Sequence, residues 1–176
     1  QGLTAEGERV LDWARRIVGD YRSMQAEMRA TRRGGLSANA RIAVIPTALG
    51  MVQELTTSFA DTHPDVTFTL LSRNSVEILR LIENLEADIG ITYLENEPLG
   101  QVVSVPLYVE RYLFVTASET LFAGRDNVSW AEASRQPLCL LTPDMQNRRI
   151  INHYMSVNGV EAKPVMETDS VIAMAT

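Results

Sequence analysis

The sequence predicts an α/β protein of two lobes preceded by a long helix. Three features carry that prediction. Uncharged residues recur on a heptad from Leu3 to Met28, a strand–helix–strand–helix–strand alternation follows Gly34-Gly35, and a shorter run of the same kind follows Ser129. Alternation at these lengths indicates βαβ units and parallel sheets with right-handed crossovers.

The helix comes first. Thr4 is placed to cap it, and neither Pro nor a turn cluster interrupts the chain before Gly34-Gly35. Leu3, Gly7, Val10, Ala14, Ile17, Tyr21, Met24 and Met28 are spaced alternately four and three apart, the a/d series of a helix–helix seam. Nearly all the Arg and Glu of the segment fall between them. About thirty residues at about 1.5 Å each make a rod of about 45 Å, longer than one small domain covers. Two readings are open: a surface helix lying on its own domain, or a seam where two copies meet. The heptad favours the seam, a dimerisation element over residues 1–35 in which the small Gly7 and Ala14 let backbones approach. Gly7 weakens an isolated helix, which itself asks for a packing reason.

Beyond the glycine pair the periodicity changes. Arg41–Ile45 reads as a strand, and Pro46-Thr47-Ala48 as a turn into a helix reaching about Ala60. Val66–Leu71 is the next strand, Val76–Leu85 an amphipathic helix and Asp88–Tyr93 a third strand. Glu95–Gly100 is a loop. Val102–Pro106 and Tyr108–Ala117 are β-rich with no helix between them, and read as a strand pair at which the chain crosses into its second lobe. The expected divisions are therefore residues 36–106 for the first lobe and 107–176 for the second. The second holds a short helix (Trp130–Ser134), a strand (Leu138–Leu141), a helix (Gln146–Val157), a strand (Pro164–Glu167) and a helix from near Asp169. That last pattern has no stop signal before Thr176, so the lobe is expected to continue.

Composition narrows the function. A formal charge of −6 argues against a chain that coats nucleic acid, since phosphate binding needs a basic footprint. The charge is uneven: residues 1–35 carry seven Arg against five acids, a balance of +2, and the remainder carries −8. Such asymmetry suggests two parts with different tasks. Cys139 is the single cysteine, which excludes an internal disulfide or Cys-rich zinc site and fits a reducing, cytoplasmic compartment. It sits in the apolar run Leu138–Leu141 and reads as an inert core residue. No apolar run approaches the roughly 18–20 residues that span a bilayer, so no membrane association is expected. For catalysis, His63 and His153 lack a Cys, Asp or Ser at an informative spacing, and no Gly-rich phosphate loop or nucleophile elbow occurs. The seven Met read as packing residues.

Several short motifs, in order, resemble those of the LysR-type transcriptional regulators. They are Leu3-Thr4-Ala5-Glu6-Gly7 with Ala14-Arg15-Arg16-Ile17, then Leu36-Ser37-Ala38-Asn39-Ala40-Arg41-Ile42-Ala43, Pro46-Thr47, and Phe59 with Pro64-Asp65-Val66. Leu81 to Ile91 is similar to the family's stretch ending Leu-Asp-x-Gly-Ile, and Pro106–Glu110 with Leu113-Phe114-Val115 to its crossover. Departures are Asn84 and Ala43 where the family often has Gly, and Thr120-Leu121-Phe122 for a frequent His-Pro-Leu. The resemblance implies a two-lobed effector-binding domain of periplasmic-binding-protein-like (type 2) architecture. It also implies a winged helix-turn-helix before Gln1 and a C-terminal portion completing both lobes, neither within this chain. A bacterial regulator of this kind forms a homodimer, and a homotetramer in the full protein. It binds promoter DNA through that N-terminal domain, answers to a small-molecule effector and uses no cofactor.

In an open α/β sheet, ligands lie beyond the carboxyl ends of strands, near helix N-termini. Four turns qualify: Pro46-Thr47-Ala48, Ser72–Ser75, Thr142–Asn147 and Glu167–Ser170. Each also reads as an ordinary capped turn. The candidate contacts are Thr47, Ala48, Arg73, Asn74, Thr142, Gln146, Asn147, Thr168 and Asp169, with Leu94 beside Tyr93 as a floor; facing loops of two lobes would make the cleft. Arg73, Arg148 and Arg149 could meet a carboxylate, although Arg148 and Arg149 read more simply as solvated. The favoured function is a regulator's coupling module. The alternative is a solute-binding protein or an enzyme on the same two-lobed fold, which would call for an export signal or a catalytic constellation.

Overall fold

Helix α1 (Ala5–Arg33) opens where the Thr4 hydroxyl accepts the Gly7 N–H at 3.1 Å, and Glu6 and Glu8 in its first turn suit the positive end of the helix dipole. The computed structural model describes residues 2–33, 39–95, 99–100 and 102–175; Gly34-Gly35, the Leu36-Ser37-Ala38 start of the family-like motif and the loop residues Asn96-Glu97-Pro98 lie outside these. The chain divides into two compact units, Gln1–Tyr93 and Leu94–Thr176, whereas the sequence pattern sets the lobe boundary at residue 106.

In unit 1, strands β1 (Asn39–Val44), β2 (Thr67–Ser72) and β3 (Ile89–Ile91) form a parallel sheet in the order β2-β1-β3. The register runs from Asn39↔Thr67 to Val44↔Ser72 on one side and from Ile42↔Ile89 to Val44↔Ile91 on the other. β1 takes the centre because Ile42-Ala43-Val44-Ile45 is apolar on both faces, as a strand covered by helices must be. Helices α2 (Leu49–Thr62) and α3 (Ser75–Glu83) supply the cover, with Val52 and Ile78 fully buried against that run.

Two elements are shorter than the sequence suggests, each for a visible reason. β3 was expected from Asp88, but the Asp88 carboxylate takes the Arg41 backbone N–H at 2.8 Å and the guanidinium at 2.7 and 3.1 Å, replacing a ladder bond. α3 was expected to reach Leu85. Instead Leu85 adopts φ +54, the Leu85 N–H donates to Ile82 O, and the Glu86 N–H donates to Leu81 O. That bond pair is a Schellman ending with leucine in the left-handed position that glycine usually fills.

Unit 2 holds α4 (Trp130–Ala133), β4 (Leu138–Leu141), α5 (Gln146–Val157), β5 (Pro164–Thr168) and α6 (Val171–Ala175), with β4 and β5 parallel. Its core joins Leu138, Leu140, Ile151 and Met155, and Trp130 stacks on Tyr154 at 5.8 Å. The expected strand pair Val102–Pro106 and Tyr108–Ala117 is not formed: no ladder involves these residues, and Val103 is 97% exposed. A strand needs a neighbour for its N–H and C=O groups, and no described segment provides one. The packing role expected of the methionines holds for Met155, whereas Met24, Met28, Met166 and Met174 are exposed. Among the described residues, no helix is long and apolar enough to cross a membrane.

Candidate functional site

With β1 central, the crossover through α2 leaves it toward β2, and the crossover through α3 returns to its other side as β3. The carboxyl ends of β1 and β3 therefore flank a topological switch point, where open α/β sheets bind ligands. Past β1 the chain makes a 3₁₀ turn, Pro46–Ala48, and past β3 it reaches Tyr93. The Thr47 hydroxyl and the Tyr93 hydroxyl lie 3.2 Å apart across this point. Ala48 is buried and presents backbone only; α2 starts from it without a side-chain cap. The sequence offers Tyr93 as a floor beside Leu94. Its pairing with Thr47, forty-six residues away, had no signal in the sequence.

At the end of β2, Arg73 and Asn74 are tied locally. The Arg73 N–H continues the ladder to Val44 O, and its exposed guanidinium donates to Ser72 O at 2.7 Å. Asn74 caps α3: its side-chain oxygen accepts the Glu77 N–H at 3.0 Å, and the Glu77 carboxylate accepts the Asn74 N–H at 3.3 Å. This capping box satisfies two donors of the helix end, a gain of about 1 kcal/mol.

The strand ends of unit 2 are built differently. The Thr142 N–H donates to Thr168 O at 3.0 Å and its carbonyl accepts the Met145 N–H, which curls the chain into α5. Methionine at the N-cap offers no side-chain acceptor to that helix. The Thr142 hydroxyl is buried with no hydrogen-bond partner. Gln146 is buried and its amide donates to Glu95 O at 2.7 Å, one residue after the exposed Leu94. Asn147 is half-buried on the same turn. The Thr168 hydroxyl accepts the Ser170 N–H at 3.1 Å, and Asp169 beside it is exposed.

The expectation that Arg148 is solvated is wrong. Arg148 is buried, and its guanidinium donates to Leu141 O at 2.7 Å, to Glu167 at 2.7 Å and to Asn152 at 2.9 Å, binding β4, β5 and α5 together. Arg149 folds back on the turn, donating to Pro143 O and Asp144 O. Neither is a loose cation for an incoming anion.

At about 100° per residue, Val10, Ile17, Tyr21, Met24 and Met28 gather on one face of α1. Val10 is 68% and Ile17 63% exposed, and Leu3, Tyr21, Met24 and Met28 are exposed with them; Ala14 is exposed and Gly7 half-buried on the same side. The face about 180° away carries Asp12, Arg15 and Gly19. Arg15 pairs there with Glu86 at 3.3 Å, and Gly19 is buried. The helix thus lies on the rest of unit 1 by its polar side and leaves its apolar heptad uncovered.

The perturbed carboxylates serve structure. Burial alone would raise Asp88, but the Arg41 side chain, its backbone N–H and its charge hold the group below the ordinary value. The Arg125 guanidinium, then the Ser129 hydroxyl and N–H, lower Glu132 to about 2 while Ser129 caps α4. Among the described residues, no group of three or more His, Cys, Asp or Glu could hold a metal ion.

Comparison with known proteins agrees with this geometry. The HTH-type transcriptional activator CmpR of Synechocystis is 26% identical over 170 residues, covering 96% of this chain and 55% of that protein. The chain spans about half the length of the curated relatives it matches. The hydrogen peroxide-bound structure of an OxyR variant from Corynebacterium glutamicum superposes with a TM-score of 0.70 at 22% identity, covering 97% of this chain and 54% of that one. The effector binding domain of QuiR in complex with shikimate gives 0.63 at 21% identity, covering 78% and 67%. Residues 33–176 match the LysR substrate binding domain, and through that domain the chain belongs to the LysR family.

Proposed function

We propose that this chain is the dimerisation helix and small-molecule-sensing part of a ligand-responsive transcriptional regulator. In this reading it couples effector binding to promoter DNA binding by a winged helix-turn-helix carried elsewhere in the protein. The observation that carries the proposal is the family match over residues 33–176. Support comes from the relatives: CmpR is named a transcriptional activator, an OxyR structure is peroxide-bound, and the QuiR effector domain holds shikimate. We read the chain as non-catalytic on the same ground.

The effector is a small polar molecule held at strand ends. Thr47 with Tyr93 offers two hydroxyls at the switch point of unit 1, and Thr142 offers a buried hydroxyl with nothing to bond. Leaving such a group unpaired costs about 1–3 kcal/mol, which an incoming donor or acceptor recovers. Ala48, Arg73, Asn74, Leu94, Gln146, Asn147, Thr168 and Asp169 flank these groups in sequence and are proposed as further contacts. Arg73, Asn74 and Gln146 would have to release or share the bonds described above. The exposed heptad of α1 is proposed as the seam of a homodimer.

Coupling requires an effector that binds two states with different affinity. The test uses the full-length protein, DNA from upstream of its own gene, and a panel of small hydroxylated metabolites with shikimate among them. The expected outcome is DNA binding by anisotropy, and one metabolite that raises the melting temperature and shifts DNA affinity at least about fivefold. Failure of the full-length protein to bind that DNA, with metabolite binding intact, would favour a solute-binding protein instead.

A further inference from the structure

Two residues break local rules at one contact. Gly19 sits in the middle of α1, where it costs about 1 kcal/mol relative to alanine. Leu85 holds the left-handed position after α3, where a side chain costs about 1–2 kcal/mol relative to glycine. The two meet: a Cβ on Gly19 would lie 2.5 Å from the Leu85 Cβ and 3.2 Å from the Leu85 carbonyl oxygen. Neither atom can swing aside, because one is the root of a side chain and the other is backbone. Arg15, one turn earlier on the same face, pairs with Glu86 at 3.3 Å and Asp12 at 3.6 Å. Local penalties that coincide in space mark a contact retained for another reason.

We propose that Leu85 and Gly19 form a knob-and-notch joint through which unit 1 sets the position of helix α1, and with it the orientation of the apolar face opposite. The inference rests on the regulator reading above and deepens it. The joint is the far end of α3, whose near end is capped by Asn74 at the ligand-facing strand edge. Nine residues at about 1.5 Å make that helix about 13 Å long, and Ser75 and Ile78 bury it firmly in the core. A shift at the capped end therefore moves Leu85, and the notch passes the movement to α1. The face that moves is the one with Ile17 and Tyr21, about 180° from Gly19 around the helix.

The test is made in the full-length protein with Gly19→Ala, Leu85→Gly and the pair combined. Hydrogen exchange at the amides of residues 85–87 reports docking, and anisotropy with the upstream DNA reports coupling. Gly19→Ala is expected to speed that exchange at least about fivefold, the low end for one overpacked methyl, and to have a smaller effect once Leu85 is glycine, when only the tight carbonyl contact remains. It is also expected to shift DNA affinity at least about fivefold. Unchanged exchange overturns the joint. Faster exchange with unchanged DNA affinity overturns the coupling and leaves the regulator reading standing, since that depends on DNA binding by the unsubstituted protein. Should Gly19→Ala fail to fold, reversing the neighbouring pair decides: Arg15→Glu and Glu86→Arg each speed exchange, and the double reversal restores it. Failure to restore overturns the proposal.

Discussion

At the scale of single residues, Thr142 and Asp88 make opposite use of polarity. The Thr142 hydroxyl is desolvated without a partner, so Thr142→Val is expected to stabilise the protein by about 1 kcal/mol in urea unfolding. The same change should weaken effector binding about tenfold by calorimetry, because it removes the group the effector is proposed to satisfy. Asp88 is held below its ordinary value, so its contribution is fully present above that value and is lost as pH falls through the depressed one. Stability measured from pH 6 down to pH 2 should therefore drop, and Asp88→Asn should flatten the drop. The group is 40% exposed and screened, so the difference is no more than about 1 kcal/mol.

Elements differ in how far their own residues determine them. β4 and α5 begin and end where the sequence places them: Pro137 and Pro143 bracket one strand, and an apolar face at helical spacing defines the helix. The stretch from Val102 to Ala117 has equal β character and forms no strand, because pairing depends on a neighbour and not on the segment alone. Arg148 reads as solvated in isolation; only the return of β5 beside β4 brings Glu167 to it. Replacing it by methionine should destabilise unit 2 by about 2 kcal/mol in chemical unfolding, since Leu141 O and Glu167 lose their donor. Gly19, like Gly7, is a glycine inside a helix and asks for a packing partner, yet sequence cannot say which. For α1 itself, Ile17→Asp puts a carboxylate on the heptad face of each copy. The dimer proposed for the full-length protein should dissociate about thirtyfold more readily in sedimentation, about 2 kcal/mol for desolvating charge there. An unchanged dimer would refute the seam.

Across the whole molecule, the charge split anticipates the arrangement: the Arg-bearing segment is α1, and the acidic remainder holds the strands and the other helices of both units. Fold class was legible because it follows from periodicity, whereas the candidate contacts depend on strand order. Thr47 meets Tyr93 only because β1 lies between β2 and β3. The apolar residues exposed from Val103 to Val115 make this chain prone to self-association, so Val105→Lys with Val109→Lys should lower light scattering of the isolated chain while leaving the melting of unit 1 unchanged. The central place of β1 has a further consequence, in time. Its ladder partners stand 28 residues onward in β2 and 47 in β3, so the most buried strand of the sheet leaves the ribosome before either of them does. Closing those loops precedes any reward from pairing, which predicts slow refolding for unit 1 and a nascent chain that depends on chaperones until Ile91 has emerged.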